Sequence, residues 1–161
     1  MSDRLDDFLK ELQDKIDDDA IRDYGQRAFE RWRDPLHMRP MESPDGYGRI
    51  TGPCGDTMEI FLRFEKGKVS EASFQTDGCG PSIVCGSLAA ELAFGKKPDE
   101  IREITNEKIL ETIGGLPEES RHCALLAANT LQEAIDRYII QKNRNTESRL
   151  MQRKIEQNKG G

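Results

Sequence analysis

The chain has 161 residues, of which 35% are hydrophobic and 34% charged, which suffices for one domain if the apolar residues are concentrated. Its 30 acidic and 24 basic side chains give a net charge of −6, which argues against nucleic-acid binding because phosphate recognition needs clustered Lys and Arg. No apolar run approaches the roughly 18 residues that span a bilayer, and the acidic N-terminus is unlike a signal peptide, so we expect a cytoplasmic protein without a membrane segment.

The first elements predicted along the chain are two helices. Apolar residues at helical spacing predict an amphipathic helix over residues 4–16. The run Asp17-Asp18-Asp19 offers caps for a second helix over residues 19–33, which Pro35 ends. We assign residues 1–23 to an N-terminal helical extension. The segment that follows is rich in proline and glycine and predicts a loop with one short strand near residues 47–50.

A β-hairpin is the clearest signal in the middle of the chain. Residues 57–65 alternate between apolar and polar side chains, Lys66-Gly67 makes the turn, and residues 69–76 form the return strand. Because proline is tolerated at a helix start, Gly80-Pro81 predicts a helix that continues over residues 82–94. The expected fold class is therefore α+β, a small antiparallel or mixed sheet packed against helices.

The C-terminal third is predicted to be helical. Residues 98–104 and 107–113 indicate two short helices. Ser120 is the expected N-cap of a long last helix, whose apolar positions include Leu125, Leu126, Leu131 and Ile135. Residues 24–140 then form the main domain. Residues 141–161 form a charged helical tail that lacks an apolar stripe, so we expect it to be frayed or exposed.

Four cysteines carry the chemistry that the sequence suggests. Disulfides are unexpected in a reducing compartment, and no C-x-x-C pair points to a zinc ribbon. Cys54, Cys79 and Cys123 lie at the ends of predicted elements, beside glycines or a cap. A helix N-terminus should lower the pKa of Cys79 and Cys123 and favour the thiolate that binds metal. Spacing alone leaves open that all three are ordinary core residues.

Three sequence motifs favour a role in metal binding for these cysteines over a role in the core. Gly52-Pro53-Cys54-Gly55-Asp56-Thr57-Met58, Thr76-Asp77-Gly78-Cys79-Gly80 and Arg121-His122-Cys123-Ala124-Leu125-Leu126-Ala127 together resemble the iron–sulfur cluster assembly scaffold family, of the IscU and NifU N-terminal domain type. The resemblance implies the SufE/NifU fold, here with helical extensions at both ends. It also implies Cys54, Cys79 and Cys123 as cluster ligands, with Asp56 and His122 as candidates for the fourth position.

The resemblance further implies a function. A cysteine desulfurase would deliver persulfide sulfur to a cysteine, for which we favour Cys123, and iron and electrons would arrive separately. A labile cluster, [2Fe–2S] in preference to [4Fe–4S], would form and pass to apo-proteins, so the chain would be a scaffold and not an enzyme. Thiolates are soft donors that suit such clusters, but the same ligands suit zinc. A zinc-bound sulfurtransferase is therefore the alternative, and a purely structural zinc module is a third reading.

Departures from the family pattern limit what the resemblance implies. Cys85 stands where the family carries a small residue, and free cysteine is commonly a buried hydrophobe. Members served by a dedicated Hsp70-type chaperone carry Leu-Pro-Pro-Val-Lys before the last cysteine, whereas this chain has Leu116-Pro117-Glu118-Glu119-Ser120. We therefore do not carry that partnership over. The sequence leaves open whether a homodimer forms.

Overall fold

The computed structural model describes residues 2–160 and contains a three-stranded sheet with helices before and after it. Two helices precede the sheet, and four helices and one short 3-10 helix follow it. In chain order the elements are α1 (Ser2–Tyr24), α2 (Gln26–Arg33), β1 (Gly46–Thr51), β2 (Thr57–Glu65), β3 (Lys68–Thr76), α3 (Gly80–Ala93), α4 (Pro98–Ile101), α5 (Asn106–Ile113), the 3-10 helix (Glu118–Ser120) and α6 (Arg121–Lys159). The predicted α+β class with helical extensions at both ends is confirmed.

The sheet is an antiparallel meander in the order β1-β2-β3. Lys66 and Gly67 connect β2 to β3 with φ values of 54° and 78°, the left-handed pair that a tight hairpin turn of matching twist requires. The predicted hairpin is therefore confirmed. Alternation along β2 places Met58, Ile60 and Leu62 on one face, and all three are fully buried.

Helices α3 and α6 pack against the sheet and against each other. The approach of α6 to β1 is so close that a Cβ on Gly48 would lie 2.2 Å from the carbonyl oxygen of Thr130. The absence of a side chain at Gly48 thus sets the depth to which α6 lies on the sheet. Since Cys123 lies at the beginning of α6, this contact also helps to fix the position of that cysteine.

Gly48→Ala should destabilise the protein strongly. The new methyl group would meet backbone atoms of α6, which cannot rotate away as a side chain can, so we expect a loss of about 1–3 kcal/mol in the free energy of unfolding. Chemical denaturation followed by circular dichroism measures it. At Gly52, an added Cβ would meet the Leu126 methyl groups at 3.6 Å and the Asp56 carbonyl oxygen at 3.8 Å, which are ordinary contacts, so Gly52→Ala is the matched control. Equal losses in both variants would contradict the packing argument.

The predicted boundary between the first two helices is wrong. The aspartate run at residues 17–19 does not begin a new helix, since α1 continues through it to Tyr24. The break comes at Gly25, whose φ of 87° is incompatible with a right-handed helix. The apolar stripe explains the continuation, because Ala20 and Tyr24 extend it by whole turns and pack against the body of the protein.

The C-terminal half differs from the prediction in several details. The helix expected over residues 98–104 is only Pro98–Ile101. Ser120 occupies the N-cap position of α6, as predicted, but its side chain makes no capping hydrogen bond. Of the four apolar positions named for this helix, Leu125 is 47% exposed and the other three are buried. The tail is not frayed, because α6 runs unbroken to Lys159, but the predicted exposure is confirmed.

The sequence predicted that the protein has no membrane segment. Over residues 2–160, no helix combines the length and the apolar character that crossing a bilayer requires.

Candidate functional site

Cys54 lies on a tight turn between β1 and β2. The Gly55 N–H donates to the Gly52 carbonyl at 3.0 Å, and the Gly52 N–H donates to the Asp56 carbonyl at 2.8 Å. Gly55 has a φ of 90°, so glycine allows the chain to reverse directly after Cys54. The thiol of Cys54 is exposed, as the flanking glycines predict.

The loop that carries Cys79 is fastened beside this turn. Asp77 accepts a hydrogen bond from the Thr57 N–H at 2.7 Å, and the Thr76 hydroxyl donates to the Thr57 carbonyl at 2.8 Å. Cys79 is the residue immediately before α3, and its thiol is exposed. A Cβ on Gly78 would lie 2.8 Å from Asp56 Oδ2, which shows how closely the two loops approach.

Ser82, in the first turn of α3, connects two of the predicted ligands. Its side chain is fully buried. The Ser82 hydroxyl lies 3.1 Å from Asp56 Oδ2 and 3.4 Å from Cys123 Sγ, within hydrogen-bonding distance of both acceptors. His122 is exposed, and its Nε2 lies 3.6 Å from the same sulfur. The structure therefore brings Asp56, His122 and Cys123 to one place, with Ser82 between the carboxylate and the thiol.

The pKa of Cys123 is raised, which contradicts the expectation that a helix N-terminus would lower it. Cys123 is 1% exposed, and burial is the largest cause because it disfavours the charged thiolate. The hydrogen bond from Ser82 acts in the opposite direction, while the negative charges of Cys79, Cys54 and Asp56 raise the pKa further. Contacts place these groups at one end of the fold, since Ser82 joins Asp56 to Cys123, Cys54 lies two residues before Asp56, and Gly78, next to Cys79, approaches Asp56 Oδ2.

The candidate ligands do not form a ready-made metal cage. Over residues 2–160, no group of three histidine, cysteine, aspartate or glutamate side chains is arranged so that it could hold one ion. Two of the thiols are exposed on loops, whereas the third is buried beneath Ser82. Cys54 and Cys79 thus face solvent at the same end of the fold as Asp56 and Cys123, and binding of an ion would require these side chains to close around it.

Cys85 differs from Cys54 and Cys79 in its burial. It is fully buried within α3, and burial strongly raises the pKa of its thiol. Its neighbours belong to the continuous hydrophobic core. The prediction that Cys85 is a small core residue agrees with this burial, and a buried thiol with a raised pKa is a poor metal ligand.

Comparison with known families decides where the chain belongs. The sequence profile of the family called NifU-like N-terminal domain matches residues 23–145. The chain belongs to this family. The family resemblance predicted from the three cysteine motifs is therefore confirmed.

Two relatives of this NifU-like chain are named as iron–sulfur cluster assembly scaffold proteins. The iron–sulfur cluster assembly scaffold protein IscU 1 of Archaeoglobus fulgidus is 36% identical over 116 residues, which cover 71% of this chain and 76% of that protein. The scaffold protein IscU of Aquifex aeolicus is 30% identical over 125 residues, covering 76% and 80% respectively. A crystal structure of a NifU-like N-terminal protein from Brucella abortus has the same fold, with a TM-score of 0.57, 20% identity, and coverage of 70% of this chain and 92% of the other.

Ser82 is the site residue that sequence reasoning missed. It is separated by 26 residues from Asp56 and by 41 from Cys123, so no local pattern places it between them. The only local signal is a small polar residue in the first turn of a helix that follows a cysteine. In this NifU-like chain the Ser82 hydroxyl lies between two predicted ligands, Asp56 and Cys123. An apolar residue at position 82 would leave the Asp56 carboxylate without this buried hydrogen-bond partner.

Ser82→Ala should raise the pKa of Cys123. The hydroxyl stabilises the thiolate by donating to it, so its loss removes the one interaction that lowers this pKa. Native-state alkylation at a series of pH values, with the Cys123 peptide quantified by mass spectrometry, should show the midpoint move upward. Ser87→Ala is the matched control, because Ser87 is a buried serine of the same helix that donates to the Leu36 carbonyl. An unchanged or lower midpoint for Ser82→Ala would contradict the assignment.

Proposed function

We propose that this chain is a scaffold on which an iron–sulfur cluster is assembled and from which it passes to other proteins. The cluster is cargo and not a resident cofactor, so the protein would be a carrier and not an enzyme of small-molecule turnover. The observation that carries this proposal is the contact of Ser82 with both Asp56 and Cys123, at the end of the fold where Cys54 and Cys79 are exposed. The names of the Archaeoglobus and Aquifex relatives support it.

The ligand roles follow from chemistry and position. Cys54, Cys79 and Cys123 would supply soft thiolates, and Asp56 would complete the site as a harder oxygen donor. His122 lies close enough to Cys123 to replace it as a ligand when the cargo or partner changes. A site that combines donors of unequal strength should hold a cluster firmly enough to build it and loosely enough to release it. A [2Fe–2S] cluster suits this small donor set.

The order in which the cysteines take part in cluster assembly would follow their exposure to solvent. Cys54 and Cys79 are reachable from solvent, so they can bind incoming iron first. Cys123 as acceptor of persulfide sulfur stays a prediction, and its burial requires the loops around Ser82 to open before attack. In that step the Cys123 thiolate would take the outer sulfur of the donor's persulfide and release the donor's thiolate. An external electron donor would then reduce this sulfur to sulfide.

The partners we propose are those that the chemistry needs. A cysteine desulfurase would supply the sulfur, and apo-proteins with free thiolates would take the finished cluster, in the cytoplasm. The acidic Pro117-Glu118-Glu119-Ser120 segment lacks the basic residue of the chaperone-docking sequence, so a dedicated Hsp70-type chaperone is not among the proposed partners.

Anaerobic reconstitution tests the function directly. The purified chain is incubated with ferrous iron, cysteine and a cysteine desulfurase, and then with an apo-ferredoxin as acceptor. The expected result is visible absorbance typical of an iron–sulfur cluster, which moves to the acceptor. A colourless, zinc-loaded protein that stimulates desulfurase turnover would overturn the proposal in favour of the sulfurtransferase. Loss of folding on chelation would instead indicate a structural zinc module.

A further inference from the structure

Two helical segments that lie outside the packed core carry most of the large hydrophobic side chains that are exposed in the described residues. The first is the N-terminal part of α1, residues 2–16, and the second is the distal part of α6, residues 140–159. Residues 3–16 and 140–159 are exposed throughout. Of the fourteen large hydrophobic side chains that are exposed in the described residues, nine lie on these segments: Leu5, Phe8, Leu9, Leu12, Ile16, Ile140, Leu150, Met151 and Ile155.

On α1 these side chains form a stripe. Leu5, Leu9, Leu12 and Ile16 are spaced by alternating steps of four and three residues, which places them on one side of a helix. The stripe continues into Ala20, which is buried in the body. The first four turns of α1 therefore carry the same apolar face as the last turns but have nothing packed on it within the described chain.

Distal α6 has a shorter apolar face. Met151 and Ile155 are one turn apart, and Ile140 lies eleven residues before Met151, which is close to three full turns. Arg144 and Glu147 interrupt this face. Helices in proteins owe most of their stability to packing of such a face, so both segments need a partner in order to persist in water.

The two segments carry opposite charge. Residues 2–16 of α1 have five acidic and three basic side chains, whereas distal α6 has six basic and two acidic ones. Pairing the α1 segments with each other would bring together two segments of net negative charge, and pairing the two distal α6 segments would bring together two segments of net positive charge. Pairing α1 with distal α6 satisfies charge and apolar surface together.

We propose that the chain forms a homodimer in which α1 of each copy packs against distal α6 of the other. Each copy supplies one of each segment, so a twofold axis produces two identical contacts and leaves neither segment unpaired. The lengths match well enough, since residues 2–16 extend about 22 Å and residues 140–159 about 30 Å. This inference is independent of the proposed scaffold function, because neither segment contains a predicted ligand.

Charge exchange between the segments tests the proposal. Sedimentation equilibrium of the wild-type chain should give twice the mass of one chain at tens of micromolar. Asp6→Lys/Glu11→Lys on α1 should weaken the dimer dissociation constant at least about tenfold, and so should Arg144→Glu/Lys154→Glu on distal α6. When the two variants are mixed, they should form a heterodimer, because the charge-reversed α1 of one variant then pairs with the charge-reversed distal α6 of the other. Raising the salt concentration from about 0.05 to 0.5 M should weaken the wild-type dimer by screening.

The apolar contribution has its own variant and control. Leu9→Glu/Leu12→Glu should give a monomer, while Phe94→Glu should leave the dimer intact, because Phe94 is exposed to a similar degree outside both segments. Circular dichroism shows that each variant keeps its folded body. A monomeric wild type at all concentrations would overturn the proposal, and so would a dimer that survives both the charge-reversed and the Leu9/Leu12 variants.

Discussion

Cys79→Ser should abolish the visible absorbance that appears on anaerobic reconstitution. Cys79 is exposed at the start of α3, next to the turn that carries Cys54 and Asp56. Serine keeps the size of the side chain but replaces a soft thiolate by a hard hydroxyl that remains protonated, which is a poor partner for iron in a sulfide cluster. Loss of groups that only support metal ligands costs 10–100-fold, so loss of a ligand should lower cluster occupancy by at least about 100-fold.

Cys85→Ala provides the control within the same helix. Its thiol is fully buried and held in the protonated form, so the variant should reconstitute as the wild type does while unfolding about 1 kcal/mol more easily. Iron and sulfide analysis with absorption spectra of both variants measures the contrast, and far-UV circular dichroism shows that each is folded. Full absorbance in Cys79→Ser, or its loss in Cys85→Ala alone, would show that the proposed ligand set is wrong.

Local sequence patterns predicted the sheet well because the signals that specify its strands and turn lie within a few residues of one another. The alternation in residues 57–65 and the Lys66-Gly67 turn act over a few residues, and no distant contact competes with them. The N-terminal helices show the opposite case. The aspartate run at residues 17–19 is a strong capping signal, yet the helix continues because packing of Ala20 and Tyr24 favours an uninterrupted stripe. Tertiary contacts of this kind are not visible in a window of sequence.

The candidate site was likewise predictable from the sequence only where local motifs specify it. Motifs predicted the three cysteines and Asp56 as candidate ligands, because Cys54, Asp56 and Cys79 lie beside glycines of their loops and Cys123 lies in the first turn of the last helix. Neither Ser82 nor the burial of Cys123 could be predicted, since both depend on how α3 and α6 meet. The error in the pKa of Cys123 has that origin: a helix N-terminus was visible in the sequence, but the desolvation that outweighs it arises only on packing.

Asp56→Ala should lengthen the lifetime of the bound cluster. The carboxylate is the weakest donor that we propose, and it gives an incoming acceptor thiolate a position at which to begin displacement. Its negative charge also raises the pKa of Cys123, so removing it favours the Cys123 thiolate and strengthens that ligand. Both effects act in the same direction. The half-life of the reconstituted cluster in air, or with an apo-acceptor present, should increase about tenfold.

Asp56→Asn separates the two causes of that increase. The amide can still accept the Ser82 hydrogen bond but carries no charge, so a lifetime equal to that of Asp56→Ala would assign the effect to charge. Asp99→Ala, at an exposed aspartate in the first turn of α4, should leave the lifetime unchanged. If Asp56→Ala held its cluster no longer than the wild type, Asp56 would not set the lability. Release would then have to begin at a thiolate, with His122 the nearest group able to replace Cys123.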